Sequence, residues 1–289
     1  IQRIQSHLIQ LDFFSQPDFY YIIHNSPLIA PPRLRRLWRA EGFKSLPPIG
    51  VFARIRYEFR LSGVNREFGE QDSMEKAKPL PAYLVQRYHG WKATTYAENS
   101  SWYRKLATDG QHPRAMVISC CDSRVHVTSI FGADQGEFFI HRNIANLVPA
   151  YHPDGKQHGT SAAVEYAVQV LKVAHLIVLG HSNCGGVQGC LNMCSGEAPE
   201  LEENDSFVGR WMDILRPKYD LVKDIKDPAE QQRQLEKHSV MISLENLMTF
   251  PWLAEKVTSG ELTLHGMWTD IAEGGLEYYN PAATKFESV

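Results

Sequence analysis

From Pro79 onward the chain alternates between two hydrophobic patterns. "RAMVISC" (114–120) and "AHLIVLGHS" (174–182) carry nearly continuous aliphatic runs, the pattern of parallel strands covered on both faces. "GEFFIHRN" (136–143) supplies a second short strand, and "ELTLHGMWTDI" with "GGLEYYN" reads as a final strand and its hairpin partner. Between the strands, "PAYLVQRYHGWKATTYAENSSWYRKLA" suits one or two amphipathic helices followed by a loop at "TDGQHP", and "GTSAAVEYAVQVLKV" is helical. In "NCGGVQGCLNMCS" glycines lead into a helix, and two further helices are expected in "SFVGRWMDILRPKYDLV" and "PAEQQRQLEKHSVMISLENLMTF". Strand and helix alternate, so the predicted fold is α/β, with a mostly parallel central sheet flanked by helices.

The first 73 residues break this pattern. They hold "APPRLRRLWR" and "KSLPPIG" but no sustained period, and their net charge is +3 against −6 for the remainder. Residue 1 is Ile and Met74 is the first methionine. The compact unit is therefore expected over 74–289, with 1–73 as a poorly ordered extension: a targeting arm or an upstream translated stretch.

Composition narrows the classes. With 43% apolar and 22% charged residues the chain is of ordinary globular type, and no window approaches the ~18 apolar residues of a spanning helix. The first thirty residues lack the parts of a secretory signal. A net charge of −3 argues against nucleic acid as the main partner. All five cysteines fall between Cys120 and Cys194, which fits thiolate chemistry in a reducing compartment, the cytoplasm, rather than a disulfide framework.

Two motifs carry the chemistry. "SCCDSRV" (119–125) ends the first strand and "GHSNCGG" (180–186) ends the third, so Cys120, Asp122, His181 and Cys184 are expected at neighbouring strand ends. Two thiolates and an imidazole suit zinc, with the fourth tetrahedral position left for water or an aspartate. Gly185 and Gly186 allow close approach of the backbone there. Cys121 reads as packing, because adjacent strand side chains point to opposite faces. Cys190 and Cys194 read as partly buried on one helix face, and His141, His158 and His265 as hydrogen-bonded structural residues. Two rivals compete: a closed structural zinc cluster of His181, Cys184, Cys190 and Cys194, and a thiol redox site at Cys120 and Cys121.

"SCCDSRV", "FFIHRNIANLVP", "GTSAAVEYAV" and "GHSNCGGV", in this order and spacing, resemble the β-class carbonic anhydrases. The resemblance runs from about Met74 to the C-terminus and does not include residues 1–73. It implies reversible hydration of CO2 to bicarbonate and a proton, by zinc-bound hydroxide at an ion held by Cys120, His181 and Cys184. It also implies that Asp122 accepts a hydrogen bond from that hydroxide, while Arg124 keeps the carboxylate ionised and off the metal; an Asp122 that swings onto zinc closes the site. Gln111, Phe139 and Tyr166 match substrate-pocket positions of the plant-type form and are expected from a neighbouring subunit. Gly185 joins them at the substrate. The implied assembly is a homodimer or larger, its N-terminal helices packed on the partner. Where a bicarbonate-inhibited form carries tryptophan this chain has Val117, although Arg142 remains. A CO2 analogue such as carbon disulfide is the alternative substrate.

Overall fold

In the computed structural model, which describes residues 77–289, the two aliphatic runs are adjacent parallel strands at the centre of one sheet. They are β1 (Ala115–Cys120) and β3 (His175–His181), paired with Ala115 opposite His175 and Ser119 opposite Leu179. Every residue of β1 is buried, as a strand covered on both faces requires. β2 (Phe138–Asn143) lies parallel to β1 on its outer side, and β4 (Thr263–Thr269) lies parallel to β3. β5 (Leu276–Asn280) and β6 (Lys285–Ser288) extend the sheet antiparallel, giving the order β2-β1-β3-β4-β5-β6. Residues 80–289 form one compact unit. The extension over 1–73 and its boundary at Met74 lie outside the described residues.

Two N-terminal helices, α1 (Ala82–Trp91) and α2 (Ser100–Asp109), flank a π-helical turn at Lys92–Tyr96, and neither buries a residue. Next in chain order come α3 (Val127–Phe131), α4 (Gly159–Glu165), α5 (Gly185–Ser195), α6 (Phe207–Met212), α7 (Pro228–Leu247) and α8 (Pro251–Ser259). Among the described residues no helix is long and apolar enough to cross a membrane.

Proline explains two departures from the predicted helices. The helix expected across "SFVGRWMDILRPKYDLV" stops at Met212, and a 3-10 turn takes over at Arg216–Leu221, because Pro217 has no N–H for the helical ladder. "PAEQQRQLEKHSVMISLENLMTF" forms α7 only to Leu247. Phe250, which precedes Pro251, is extended at φ −78° and ψ 111°, and Pro251 then opens α8 from its first position.

The long helix α7 lies against β3 and β4 because two strand positions lack side chains. A Cβ on Gly180 would come 2.8 Å from Val240 Cγ2, and one on Gly266 would come 2.9 Å from Val240 Cγ1. Val240 is fully buried in the core cluster with Met116, Ile118, Leu176 and Leu247. Gly180→Ala is therefore expected to destabilise the protein by about 1–3 kcal/mol through overpacking. Urea unfolding of Gly180→Ala, Val240→Ala and the double variant checks this, and the double variant should lose less than the two singles combined.

Candidate metal centre

The centre is built where parallel strands end. β1 delivers Cys120 at its last residue and β3 delivers His181 at its own. Asn183, at φ 54°, then turns the chain in the left-handed conformation that asparagine tolerates better than most side chains. The reversal brings Cys184 back as the residue preceding α5. One ligand atom from each of Cys120, His181 and Cys184 lies within 4.8 Å of the other two, and all three residues are buried. Among the described residues they are the only group of this kind.

Their hydrogen bonding leaves one acceptor with no donor. His181 is fully buried, and its Nδ1–H donates to the carbonyl of Ser182 at 2.9 Å, so the lone pair sits on Nε2. Nε2 has no partner. A buried acceptor left unpaired costs about 1–3 kcal/mol, which a cation beside it would remove. The sulfurs of Cys120 and Cys184 are 4.0 Å apart. Tetrahedral zinc with bonds of ~2.3 Å spaces two sulfurs by about 3.8 Å, so the donor set fits that ion in type and spacing. The contact with the Cys184 sulfur holds the Cys120 thiol well below the ordinary thiol range, against the opposing effect of burial. The same contact, together with burial, pushes Cys184 up.

Beside the ligands, Asp122 and Arg124 form a closed pair. Asp122 Oδ1 accepts from Arg124 N at 3.0 Å and from Nε at 2.9 Å, and Oδ2 accepts from Nη2 at 2.7 Å. These bonds hold the Asp122 carboxyl well below the usual carboxylate range, against a smaller opposing effect of burial. Arg124 Nη2 also donates to the carbonyl of Asn183 at 3.0 Å, tying the two ligand loops together. Both carboxylate oxygens thus face the guanidinium, although Oδ2 lies only 4.0 Å from His181 Nε2.

Arg142 braces the same loop from beneath. Its guanidinium donates to the carbonyls of Cys120 (2.9 Å), Asp122 (2.7 Å) and Val125 (2.8 Å). The Arg142 donors are thus committed to backbone rather than to an anion.

The remaining predicted residues divide. Gly185 sits at the start of α5 with open space where a Cβ would be, whereas a Cβ on Gly186 would come 2.6 Å from Ile144 Cγ2, so the close backbone fit belongs to Gly186. Phe139 and Tyr166 face each other, ring centroids 5.8 Å apart. Phe139 precedes Asn143, the strand partner of Cys120, by four residues, which sets it ~13 Å back along the sheet. Gln111 is exposed in the loop before β1, farther back still. One chain therefore does not bring Gln111, Phe139 and Tyr166 to its own thiols.

Cys190 is buried, its thiol within 3.9 Å of the Met212 carbonyl and raised by burial; Cys194 is half-buried. Neither joins His181, so the closed four-ligand cluster does not form. Cys121, expected as packing, is instead exposed, because β1 ends at Cys120 and Cys121 lies in the loop beyond it; with Cys120 buried, the basis for a vicinal redox pair is also removed. His141, His158 and His265 bond to Thr160, Asp154 and His175 as structural residues do. Sequence reasoning missed Glu236, only 2% exposed, which accepts from Cys184 N–H. Its signal was legible: a glutamate in helical phase with the buried Val240, Ser243 and Leu247.

Comparison with known proteins agrees with this geometry. A family model described as carbonic anhydrase matches residues 115–276. Among curated proteins of Arabidopsis thaliana, the chain is similar to chloroplastic β carbonic anhydrase 5, at 36% identity over 63% of this chain and 59% of that protein's length. It is also similar to β carbonic anhydrase 3 (36%, covering 65% of this chain and 72% of the relative) and to mitochondrial β carbonic anhydrase 6 (32%, covering 77% and 76%). Of solved structures, the β-carbonic anhydrase CcaA superposes with a TM-score of 0.65 at 26% identity over 75% of this chain and 92% of that one. One of the structures of two tetrameric β-carbonic anhydrases from Sordaria macrospora gives 0.56 at 29% over 68% and 95%.

The donor set predicts one zinc per chain. Cys120→Ser, His181→Ala and Cys184→Ser should each lose the metal after dialysis, whereas Cys121→Ser, Cys190→Ser and Cys194→Ser should retain it. Elemental analysis of the purified variants checks this, and full zinc in Cys184→Ser with depletion in Cys194→Ser would point to a different ligand set.

Proposed function

The chain belongs to the β-class carbonic anhydrase family, and from that premise we propose that it catalyses the reversible hydration of CO2 to bicarbonate and a proton at zinc held by Cys120, His181 and Cys184. The observation that carries the reading is the unpartnered Nε2 of His181, facing two thiols beside an ionised Asp122. Zinc, when bound, is a Lewis acid that acidifies water and so furnishes a nucleophile for CO2 near neutral pH.

The rest of the chemistry belongs to side chains of this chain. Asp122, ionised and within 4.0 Å of the ligand nitrogen, is an acceptor for the nucleophile's O–H and so directs an oxygen lone pair at the substrate carbon. It is too weak a base to store the released proton, which must leave to solvent. Arg124 keeps Asp122 from filling the substrate position by engaging both carboxylate oxygens. Gly185, with open space above it, leaves room for CO2.

We further infer a shared pocket in a homodimer or larger assembly. Gln111, Phe139 and Tyr166 lie away from their own thiols, and α1 with α2 presents Tyr83, Tyr88, Trp91 and Trp102 at 41% to 57% exposure, an apolar area suited to a partner. The five cysteines, all unpaired, suit a reducing compartment. Chloroplastic and mitochondrial relatives are consistent with an organelle as well as with the cytoplasm.

Stopped-flow CO2 hydration should show activity that is lost on zinc removal and regained on zinc addition; activity untouched by chelation would refute the reading. Because Asp122 is held well below the usual carboxylate range, it stays ionised from mildly acidic to alkaline pH and its titration does not shape the profile there. Two thiolates offset the formal charge of the metal, so kcat/KM should rise through neutrality with a midpoint somewhat above ~7. Asp122→Asn should lower the alkaline plateau by about 10- to 100-fold while leaving that midpoint in place.

Subunit mixing checks the shared pocket. Cys184→Ser and Gln111→Ala homodimers should each be nearly inactive, whereas a hybrid of the two contains one intact site. Co-refolded mixtures should regain activity, and a mixture no better than its parents would show that each pocket is built within one chain.

A further inference from the structure

We infer that Glu236 is a positioning residue that fixes Cys184, the second thiol, in place for the metal. The inference rests on the zinc reading above and extends it to a side chain outside the ligand set. Glu236 lies on α7 and is 2% exposed. Its Oε1 accepts the backbone N–H of Cys184 at 3.0 Å, and its Oε2 accepts the indole Nε1–H of Trp268 at 3.2 Å. Among the described residues no lysine or arginine pairs with it: Lys237 reaches Glu277 instead, and the Lys237 and Arg233 cations lie over the Trp268 ring at 5.0 and 5.8 Å. An unpaired buried carboxylate is costly, and apolar side chains would fill the same space more cheaply.

The geometry shows what the carboxylate does there. Cys184 is the residue that precedes α5, and by the hydrogen-bond geometry its side chain makes no capping bond. Glu236, from another helix, accepts the N–H of Cys184 itself and so places its negative charge near the positive end of α5. Gln232, one turn earlier on α7, donates to the Cys184 carbonyl at 3.4 Å, so the Cys184 peptide is held on both sides. Trp268 sits on β4 opposite Gly180, one residue before the partner of His181. One carboxylate thus links the Cys184 backbone to the strand beside His181. It reaches both because Gly180 lets α7 approach: a Cβ there would lie 2.8 Å from Val240 Cγ2, one turn from Glu236 on the same helix.

Two donors from different directions need two acceptor oxygens. A glutamine has one acceptor and an NH2 group, so in Glu236→Gln either Cys184 N–H or the Trp268 indole N–H would face another donor. Trp268→Phe removes the competing donor. In the double variant the amide can turn its oxygen to Cys184 and its NH2 to the aromatic ring.

The test measures metal affinity of the full chain by chelator competition, and the thiolate-to-cobalt absorption of the Co2+-substituted protein, with urea unfolding in parallel. Glu236→Gln should weaken zinc about 10- to 100-fold and shift the cobalt band. Trp268→Phe should stay near wild type, and the double variant should recover most of the lost affinity. Wild-type affinity in Glu236→Gln, or a double variant no better than that single, overturns the inference. If Glu236→Gln fails to fold, Glu236→Asp, which shortens the reach to Cys184, takes its place: weakened zinc supports the inference and unchanged zinc overturns it. A wild-type protein that binds no metal at Cys120, His181 and Cys184 would instead overturn the zinc reading and this inference with it.

Discussion

An imidazole nitrogen buried away from water and facing two buried sulfurs is the constraint on which the rest of this structure turns. Left alone, that arrangement is unfavourable, since an acceptor without a donor loses its hydration and gains nothing. A thiophilic cation reverses the sign. Around it the hydrogen bonds are nearly all made: Nδ1 on Ser182, Cys184 N on Glu236, and the loop carbonyls on Arg142. The donors are therefore preorganised, and little rearrangement is left for the metal to impose.

Preorganisation depends on backbone as much as on side chains. Adjacent parallel strands end at the same sheet edge, so Cys120 and His181 meet without any long connection having to place them. The left-handed Asn183 returns Cys184 to the edge, and Arg124 bonds to its carbonyl. Asp122 is thus held by a residue that also grips the opposite ligand loop. The dyad and the ligand set form one mechanical unit.

That unit ends at the chain's own surface. The apolar residues Phe139 and Tyr166 stack on each other far down the sheet, and the N-terminal helices bury none of their residues among those described. Under the shared-pocket proposal, a metal centre rigid within one chain and a pocket completed by another would make assembly a condition of activity.

Local pattern in the sequence was enough to determine the alternation of strands and helices and the residues at the strand ends. Short continuous aliphatic runs bounded by turn signals suit a covered parallel strand, and two cysteines and a histidine at the ends of neighbouring strands suit a metal better than packing. Local pattern also failed locally. Pro217 and Pro251 each cut a helix that hydrophobic periodicity alone would continue, and the four-residue β6 and the short helices α3 and α8 were not read from it. Only the tertiary structure decided which histidine nitrogen is left bare, that Arg142 spends its donors on carbonyls, and that Glu236 reaches Cys184 across 52 residues of sequence. The last depends on how closely α7 approaches the sheet, and that distance is set by the absence of a side chain at Gly180, on the strand that α7 packs against.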